Sequence, residues 1–348
     1  MLVRNAGIDD VAGVLRLFEE SSHRLAGMTS IRADRDLVER RLQASEEAWS
    51  KPLGDEPEER DYLLVLEEPE TGRIVGTSAI VAYVGLTIPF YSYRIGTTVH
   101  SSPRLGVSQR LRTLHLSNDY TGATEVASLF LHEDWLGGGN GRLLSLARLM
   151  YLAEHPERFN QLVFAEMRGF QRDDGSSPFW DGLGHRFFSI PFPEAVRRAG
   201  TGSKQFISEL MPRHPIYVDM LPDPAREAVG QVHPSTAPAR ALLESEGFFN
   251  RGYVDIFDGG PTIEARLGNL RVVRESQVVI VTVEDEVPSG DPILVSTRGA
   301  ERLAVTMTTD YQVTGHERLS LRRDTAALLG VESEDRVRIA LFKAGPVL

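Results

Sequence analysis

The stretch Leu129-Phe130-Leu131-His132-Glu133-Asp134-Trp135-Leu136-Gly137-Gly138-Gly139-Asn140-Gly141-Arg142-Leu143-Leu144 constrains this chain more than any other. A run of large apolar side chains breaks into three glycines and an Asn-Gly pair. It resumes as a helical pattern of Leu143, Leu144, Leu146, Ala147, Met150 and Tyr151. The grammar is strand, loop, helix. Glycines at such a junction let the backbone come close to a ligand, and the N–H groups that open a helix favour an anion. Gly137, Gly138, Gly139, Asn140, Gly141 and Arg142 therefore read as a phosphate-cradling turn. A turn made of glycine for steric reasons alone is the plainer alternative.

Two familiar phosphate loops do not fit. The P-loop needs Gly-Lys-Ser/Thr, and here Gly141 is followed by Arg142-Leu143. The dinucleotide fingerprint needs a third glycine where this chain has Arg142. What remains resembles the shorter x-x-G-x-G turn of the GNAT acyltransferase superfamily, whose backbone amides hold the pyrophosphate of coenzyme A.

Composition narrows the function classes. The 38 basic and 49 acidic side chains leave a net charge of -11, which argues against a general nucleic-acid binder. With no cysteine, disulfides, thiolate metal sites and cysteine nucleophiles are excluded, and no metal is expected. No apolar run approaches a membrane span, and Met1-Leu2-Val3-Arg4 leads to Asp9-Asp10 without a signal-peptide core. A cytoplasmic protein with no membrane partner is the expectation.

The order of elements supports the GNAT likeness. Leu2-Val3-Arg4 predicts a first strand, and Asp9 to Glu20 and Asp34 to Trp49 predict two helices. The connection His23 to Ile31 between them is too polar and glycine-broken to continue either. Lys51 to Arg60 reads as an acidic linker. Tyr62 to Leu66 and Arg73 to Val84 read as a hairpin across Pro69-Glu70-Thr71-Gly72. Glu125 to Leu131 is a fourth strand, Gly141 to Glu154 the helix after it, and Leu162 to Met167 a fifth strand. Between hairpin and fourth strand sits an insertion, Gly85 to Thr124, rich in polar and aromatic groups and suited to acceptor specificity.

A weak internal repeat extends the pattern. Ser177 to Phe188 predicts a short helix ending in glycine and running into an aromatic strand; Ala239 to Gly247, followed by Tyr253 to Phe257, has the same grammar. Two tandem GNAT-like units are expected, the second shortened. From about Leu270 short alternating runs predict a compact β-rich domain. The expected fold class is α+β: tandem GNAT-like acyltransferase domains, each a mixed central sheet flanked by helices, with a small β-rich C-terminal domain. The expected boundaries are 1–190 for the unit with the coenzyme A loop, 191–272 for the second unit and 273–348 for a β-barrel-like domain.

Longer stretches resemble one family. They include Tyr91-Ser92-Tyr93-Arg94-Ile95-Gly96-Thr97, Leu116-Ser117-Asn118-Asp119, Gly139-Asn140-Gly141-Arg142-Leu143-Leu144-Ser145 and Ala165-Glu166-Met167-Arg168-Gly169. They continue through Ser177-Pro178-Phe179-Trp180, Glu209 to Pro215, Gly230-Gln231-Val232-His233-Pro234, Thr236 to Arg240 and Gly252 to Thr262. In this order they resemble the arginine N-succinyltransferase family, over most of residues 1 to 272. The resemblance implies transfer of a succinyl group from succinyl-coenzyme A, as co-substrate, to the α-amine of arginine or ornithine in arginine catabolism. It also implies a homo-oligomer, or a hetero-oligomer with a paralogous subunit. His233 matches the family's proton-donor histidine, and Leu129 the strand residue that contacts succinyl-coenzyme A.

The residue chemistry is compatible. Backbone amides of Leu129 and Leu131 can pair with the pantetheine arm like one more strand. Histidine titrates close enough to neutral pH to take a proton from an amine or give one to a thiolate. By sequence, His233 lies just before a helix that Thr236 caps and Pro238 begins. A guanidinium acceptor needs carboxylates, and carboxylate groups of the substrates need cations. Asp119, Glu125 and Glu166 on one side, Arg94 and Arg168 on the other, and Asn118 beside them are the candidates. Transfer is expected to be direct, because no serine sits on a G-x-S-x-G elbow.

Departures from the family pattern bear chiefly on the acceptor. Arg112 and Arg32 stand where proline is usual, and His115 replaces an apolar residue. Trp135-Leu136 takes the place of a basic residue at the start of the coenzyme loop, so that phosphate contact is either lost or supplied by Arg142. Three alternatives stay open: an acetyl-coenzyme A donor, another amine acceptor, and a non-catalytic partner subunit.

Overall fold

Hydrophobic alternation and capping place most elements where the sequence puts them. The computed structural model describes residues 1–21, 33–200, 205–315 and 317–343. The expected connection His23 to Ile31 and the departure at Arg32 lie outside them. Strand β1 (Leu2–Asn5) leads through a single 3-10 turn into α1 (Val11–Glu20). Helix α2 (Arg35–Ser50) starts after Asp34, whose carboxylate caps it by accepting the Leu37 N–H at 3.1 Å. The hairpin β2 (Arg60–Glu68) and β3 (Arg73–Ala82) follows. Before it, the linker is tied by Arg60, which donates to the carbonyls of Lys51 and Pro52, both at 2.7 Å.

The insertion folds into a long hairpin, β4 (Ser92–Ser102) and β5 (Val107–Ser117), with eleven residues in each strand. After it come β6 (Thr124–Leu131), α3 (Asn140–Glu154) and β7 (Leu162–Glu166). The next segment is helical: α4 (Pro178–Gly182), α5 (Gly184–Phe188), α6 (Phe192–Gly200) and α7 (Gln205–Leu210). Then come β8 (Ile216–Tyr217), α8 (Asp223–Ala228), α9 (Ala237–Ser245), β9 (Phe249–Asp255), β10 (Pro261–Arg266) and α10 (Arg271–Glu275). The chain closes with β11 (Gln277–Glu284), β12 (Ser289–Ser296), β13 (Ala304–Thr314), β14 (Arg318–Arg322), α11 (Arg323–Leu329) and β15 (Arg336–Leu341).

One expected element is corrected. The aromatic strand foreseen at His185 to Phe188 is helix α5. Packing decides this: Phe188 stacks on Trp180 at 5.3 Å, and Trp180 stacks on Phe257 at 5.6 Å. A Cβ on Gly184 would come within 2.3 Å of Trp180, so glycine lets the chain wind tightly over that ring. Phe188 thus closes a helical cluster rather than a sheet edge, while Arg186 and Phe187 face outward.

Among the described residues, all strands join one sheet in the order β12-β15-β11-β14-β13-β1-β2-β3-β6-β7-β10-β9-β4-β5-β8. A further pairing of β12 with β13 closes the five C-terminal strands on themselves. The mixture of helices with this large mixed sheet is the α+β, GNAT-like fold that the sequence predicts. Helix α3 lies at the centre, buried from Leu143 to Ala153 on all sides. A helix apolar all round belongs inside the protein, and its contacts explain why: it packs on β3 and β6, on α9 and α10, and on β12 and β13.

Candidate active site

The site begins where two neighbouring strands part. Strands β6 and β7 run parallel but share only two register pairs, Thr124 with Val163 and Glu125 with Phe164. Beyond Glu125, β6 stays with β3, while β7 continues beside β10. A bulge accompanies the divergence. Ser128 sits at φ 52, and the register with β3 shifts between Thr77 and Ala79. Arg41 braces this kink from α2, donating to Ser128 Oγ at 2.8 Å and to Asp61 at 2.7 Å. Past the bulge, His132 N–H bonds the Val75 carbonyl on β3 at 2.8 Å. Strand alternation then turns the N–H group of Leu129 to the other side, where β7 has moved away.

A cleft of about 1690 Å³ opens from this divergence. Leu129, Phe130, Leu131, Leu136, Gly141 and Arg142 line its β6 end. Glu125, Arg148, Glu166, Arg168, His233 and Asp258 line it elsewhere. Of the residues expected from sequence, the cleft wall therefore contains Leu129, Leu131, Gly141, Arg142, Glu125, Glu166, Arg168 and His233. Gly137, Gly138, Gly139 and Asn140 form the loop between Leu136 and Gly141, beside that wall. All three glycines have positive φ, at 103, 56 and 84°, which side-chain-bearing residues rarely adopt. Gly139 is the N-cap of α3, and Asn140 ties the loop by donating to the Trp135 carbonyl at 3.1 Å.

Arg94, Asn118 and Asp119 are not part of the cleft wall; Arg94 and Asp119 gather around Tyr253. The Tyr253 hydroxyl donates to Asp119 at 2.6 Å and holds its carboxyl below the ordinary range, while the Arg94 guanidinium lies over the Tyr253 ring at 6.0 Å. The Asn118 carbonyl accepts from Thr121 N–H at 3.0 Å within the turn after β5. Sequence neighbourhood alone could not separate these residues from the cleft, because β4 joins the sheet through β9 rather than next to β6.

His233 is held from both sides. Its backbone N–H donates to the Arg168 carbonyl at 2.8 Å. Its Nδ1 meets Ser235 Oγ at 2.7 Å and accepts from Ser235 N–H at 3.2 Å. The imidazole thereby caps the short turn Pro234–Thr236 that precedes α9. This corrects the local expectation: Thr236 occupies the N-cap position of α9, but its side chain makes no capping bond. Burial, and then the Arg168 charge, push the His233 pKa below its ordinary value.

Several site residues gave little sign of themselves in the sequence. Arg148 lies on buried α3 and donates to the carbonyls of Ser145 and Ala127 at 3.1 and 3.2 Å and to Ser145 Oγ at 2.7 Å. Burial lowers its pKa, opposed by the charge of Glu125. Its only sequence signal is a cation within an apolar helix. Asp258 is buried at the cleft wall and accepts from the Gly169 and Gly260 N–H groups at 2.7 and 2.9 Å. Burial, and then nearby Asp255, push its carboxyl well above the ordinary range. The chains cross so closely here that a Cβ on Gly260 would lie 2.1 Å from the Met167 carbonyl. The signal that could have found this crossing is the Asp258-Gly259-Gly260 run.

A splayed strand pair, a bulge, a glycine loop before a central helix and a histidine across the cleft form one arrangement, and known proteins share the sequence that builds it. The sequence profile of the family described as arginine N-succinyltransferase beta subunit matches residues 1–272. The arginine N-succinyltransferase of Enterobacter sp. (strain 638) is 47% identical over 292 residues, 84% of this chain and 83% of that protein. That of Escherichia coli (strain 55989 / EAEC) is 43% identical over 341 residues, 97% of each. The solved structure of arginine/ornithine succinyltransferase subunit AI from Pseudomonas aeruginosa matches with a TM-score of 0.88 at 34% identity, covering 99% of both chains. This chain belongs to the arginine N-succinyltransferase family.

Proposed function

We propose that the chain moves a succinyl group from succinyl-coenzyme A to the α-amine of arginine, in arginine catabolism. The observation that carries this reading is the parting of β6 from β7 at the Ser128 bulge, with the glycine loop at one end of the resulting cleft and His233 on its wall. The amide of Leu129 faces that gap and offers a strand-like partner to the pantetheine arm. Amides of Gly137, Gly138, Gly139 and Gly141 and the Arg142 guanidinium receive the diphosphate at the start of α3. Glu125 and Glu166 offer carboxylates to the acceptor guanidinium, and Arg168 offers a cation to a substrate carboxylate.

Aminolysis then needs one proton moved. The α-amine attacks the thioester carbonyl, a C–N bond forms, and the oxyanion is met by backbone donors near Leu129. Neutral His233 takes the proton released by the amine. As the tetrahedral intermediate collapses, the C–S bond breaks, and the imidazolium returns that proton to the departing thiolate. The lowered pKa of His233 keeps the imidazole neutral, as the first half of this cycle requires.

The chain is further read as three units, 1–190, 191–272 and 273–348, built on one shared sheet. The ring of β11 to β15 supports the last boundary. The solved relative is described as a subunit of an arginine/ornithine succinyltransferase, which favours a second reading: ornithine as acceptor, and assembly with copies of itself or with a paralogue.

Mass spectrometry tests the reading. The purified chain is incubated with mixed succinyl- and acetyl-coenzyme A and with a panel of basic amino acids. N-succinylarginine with equimolar coenzyme A is the expected product. Predominant acetylation, or preference for another amine, rejects the proposal. Inactivity until a paralogous subunit is added supports the subunit reading instead.

A further inference from the structure

The C-terminal strands grip α3 at both ends. At its C-terminal end, Glu154 accepts from Arg298 at 2.6 Å and from Arg338 at 2.7 Å, and Tyr151 donates to the Ala300 carbonyl at 3.0 Å. At its N-terminal end stands Phe342, one residue past β15 and 4% exposed. A Cβ on Gly139 would come within 2.8 Å of Phe342 Cζ, so the ring lies directly against the N-cap of α3. The Arg142 guanidinium lies over the same ring, 5.9 Å from its centroid. The barrel fixes the ring in turn: Phe342 N–H donates to the Pro292 carbonyl at 3.1 Å, and the Leu341 carbonyl accepts from Arg271 at 3.2 Å.

We infer that Phe342 is a positioning residue through which the C-terminal barrel completes the diphosphate end of the acyl-coenzyme A cleft. Three consecutive glycines in left-handed conformations have many other conformations open to them, and ordering them on a ligand costs entropy. A buried ring against Gly139 restricts that freedom beforehand. Its π-face also narrows the range of Arg142, which lines the cleft at the start of α3. Preorganisation of this kind acts on binding of the anion and leaves bond making at the thioester untouched. The inference rests on the acyl-coenzyme A reading above, and it gives the β-rich segment beyond residue 272 a part in the site.

Steady-state kinetics of the intact chain with two donors separates the possibilities. One donor is succinyl-coenzyme A; the other is S-succinyl-N-acetylcysteamine, which keeps the thioester and lacks the diphosphate. Phe342→Ala and Phe342→Leu are expected to raise KM for succinyl-coenzyme A about five- to tenfold. They leave kcat, KM for arginine and kcat/KM for the truncated donor within about twofold of wild type, since neither bond making nor the acceptor is touched. Phe342→Leu keeps most of the apolar volume and carries the test if Phe342→Ala does not fold. Equal losses with both donors, or an unchanged KM for succinyl-coenzyme A, overturn the inference. A wild-type chain that turns over neither donor rejects the underlying acyl-coenzyme A reading, a result distinct from either of these.

Discussion

The His233 backbone N–H donates to the carbonyl of Arg168 at 2.8 Å, and the Arg168 guanidinium acts on the same residue's imidazole. Two distant parts of the sequence thus meet at one imidazole. Arg168 comes just after β7, and His233 just before α9; the bridge between Gly169 and Val232 fastens the two segments side by side. Arg168 is itself partly buried, which lowers its pKa, and the nearby Asp258 charge opposes that shift.

The pH profile follows from this pairing. A histidine whose pKa is lowered stays neutral to lower pH than usual. With neutral His233 as the base, kcat/KM holds through neutrality and falls only below the ordinary histidine range. Burial is the larger cause of the lowering and Arg168 the second. Arg168→Gln therefore moves the acidic limb to higher pH, whatever it does to the maximum rate. A kcat/KM profile whose limb stays put or moves to lower pH in Arg168→Gln counts against the pairing.

In the proposed mechanism, Ser235 decides which nitrogen of His233 moves the proton. Its hydroxyl at 2.7 Å and its N–H at 3.2 Å both face Nδ1, which leaves Nε2 as the nitrogen for substrate protons. To take a proton at Nε2 the neutral imidazole must carry its own on Nδ1 and donate it to the Ser235 hydroxyl, which can turn to accept it, whereas the Ser235 N–H pairs only with the tautomer protonated at Nε2. Ser235→Ala should lower kcat about tenfold and leave both KM values near wild type, as loss of a partner that orients a proton carrier does. Ser235→Thr should recover most of the rate. Steady-state kinetics on the pair decides it, and a change confined to KM would be the wrong signature.

The glycine loop separates backbone strain from packing. Gly137 and Gly139 both have positive φ, but a Cβ at Gly137 meets open space, while one at Gly139 meets Phe342. Each alanine substitution costs about 1 to 3 kcal/mol for the forced backbone conformation. Gly139→Ala adds an overpacking cost of about 1 to 3 kcal/mol. Urea denaturation should therefore rank Gly139→Ala below Gly137→Ala in stability, and the reverse order would falsify the contact with Phe342.

A buried ion pair between α10 and the end of α9 anchors the side chain that also reaches strand β15. Arg271 reaches Glu246 at 2.7 Å with side chains only 6% and 0% exposed, and it also donates to the Leu341 carbonyl at 3.2 Å. Arg271→Met strips the enclosed Glu246 carboxylate of this partner, and such a loss costs about 3 to 5 kcal/mol. Replacing both residues together with methionine removes the stranded charge and should recover most of that stability. Thermal unfolding of the single and double variants gives the answer; a double variant no better than the single one excludes the stranded charge as the cause.

Local patterns in the chain were enough to give the hairpin β2–β3, helix α2, strand β6, the central helix α3 and the glycine loop between the last two, because each depends on spacing and turn chemistry within a few residues. The family resemblance added His233 and Leu129 as residues of interest. Tertiary structure alone decided the rest. It turned the run at His185 to Phe188 into a helix, because burial against Trp180 outweighs local strand propensity. It drew Arg94 and Asp119 to Tyr253 and away from the cleft, while Glu125, Glu166, Arg168 and His233 came together on its wall. It also laid Phe342 on Gly139, some two hundred residues away in sequence, and enclosed Arg148 and Asp258. Contacts of that range depend on which strands pair and where they part, and no window of sequence contains both partners.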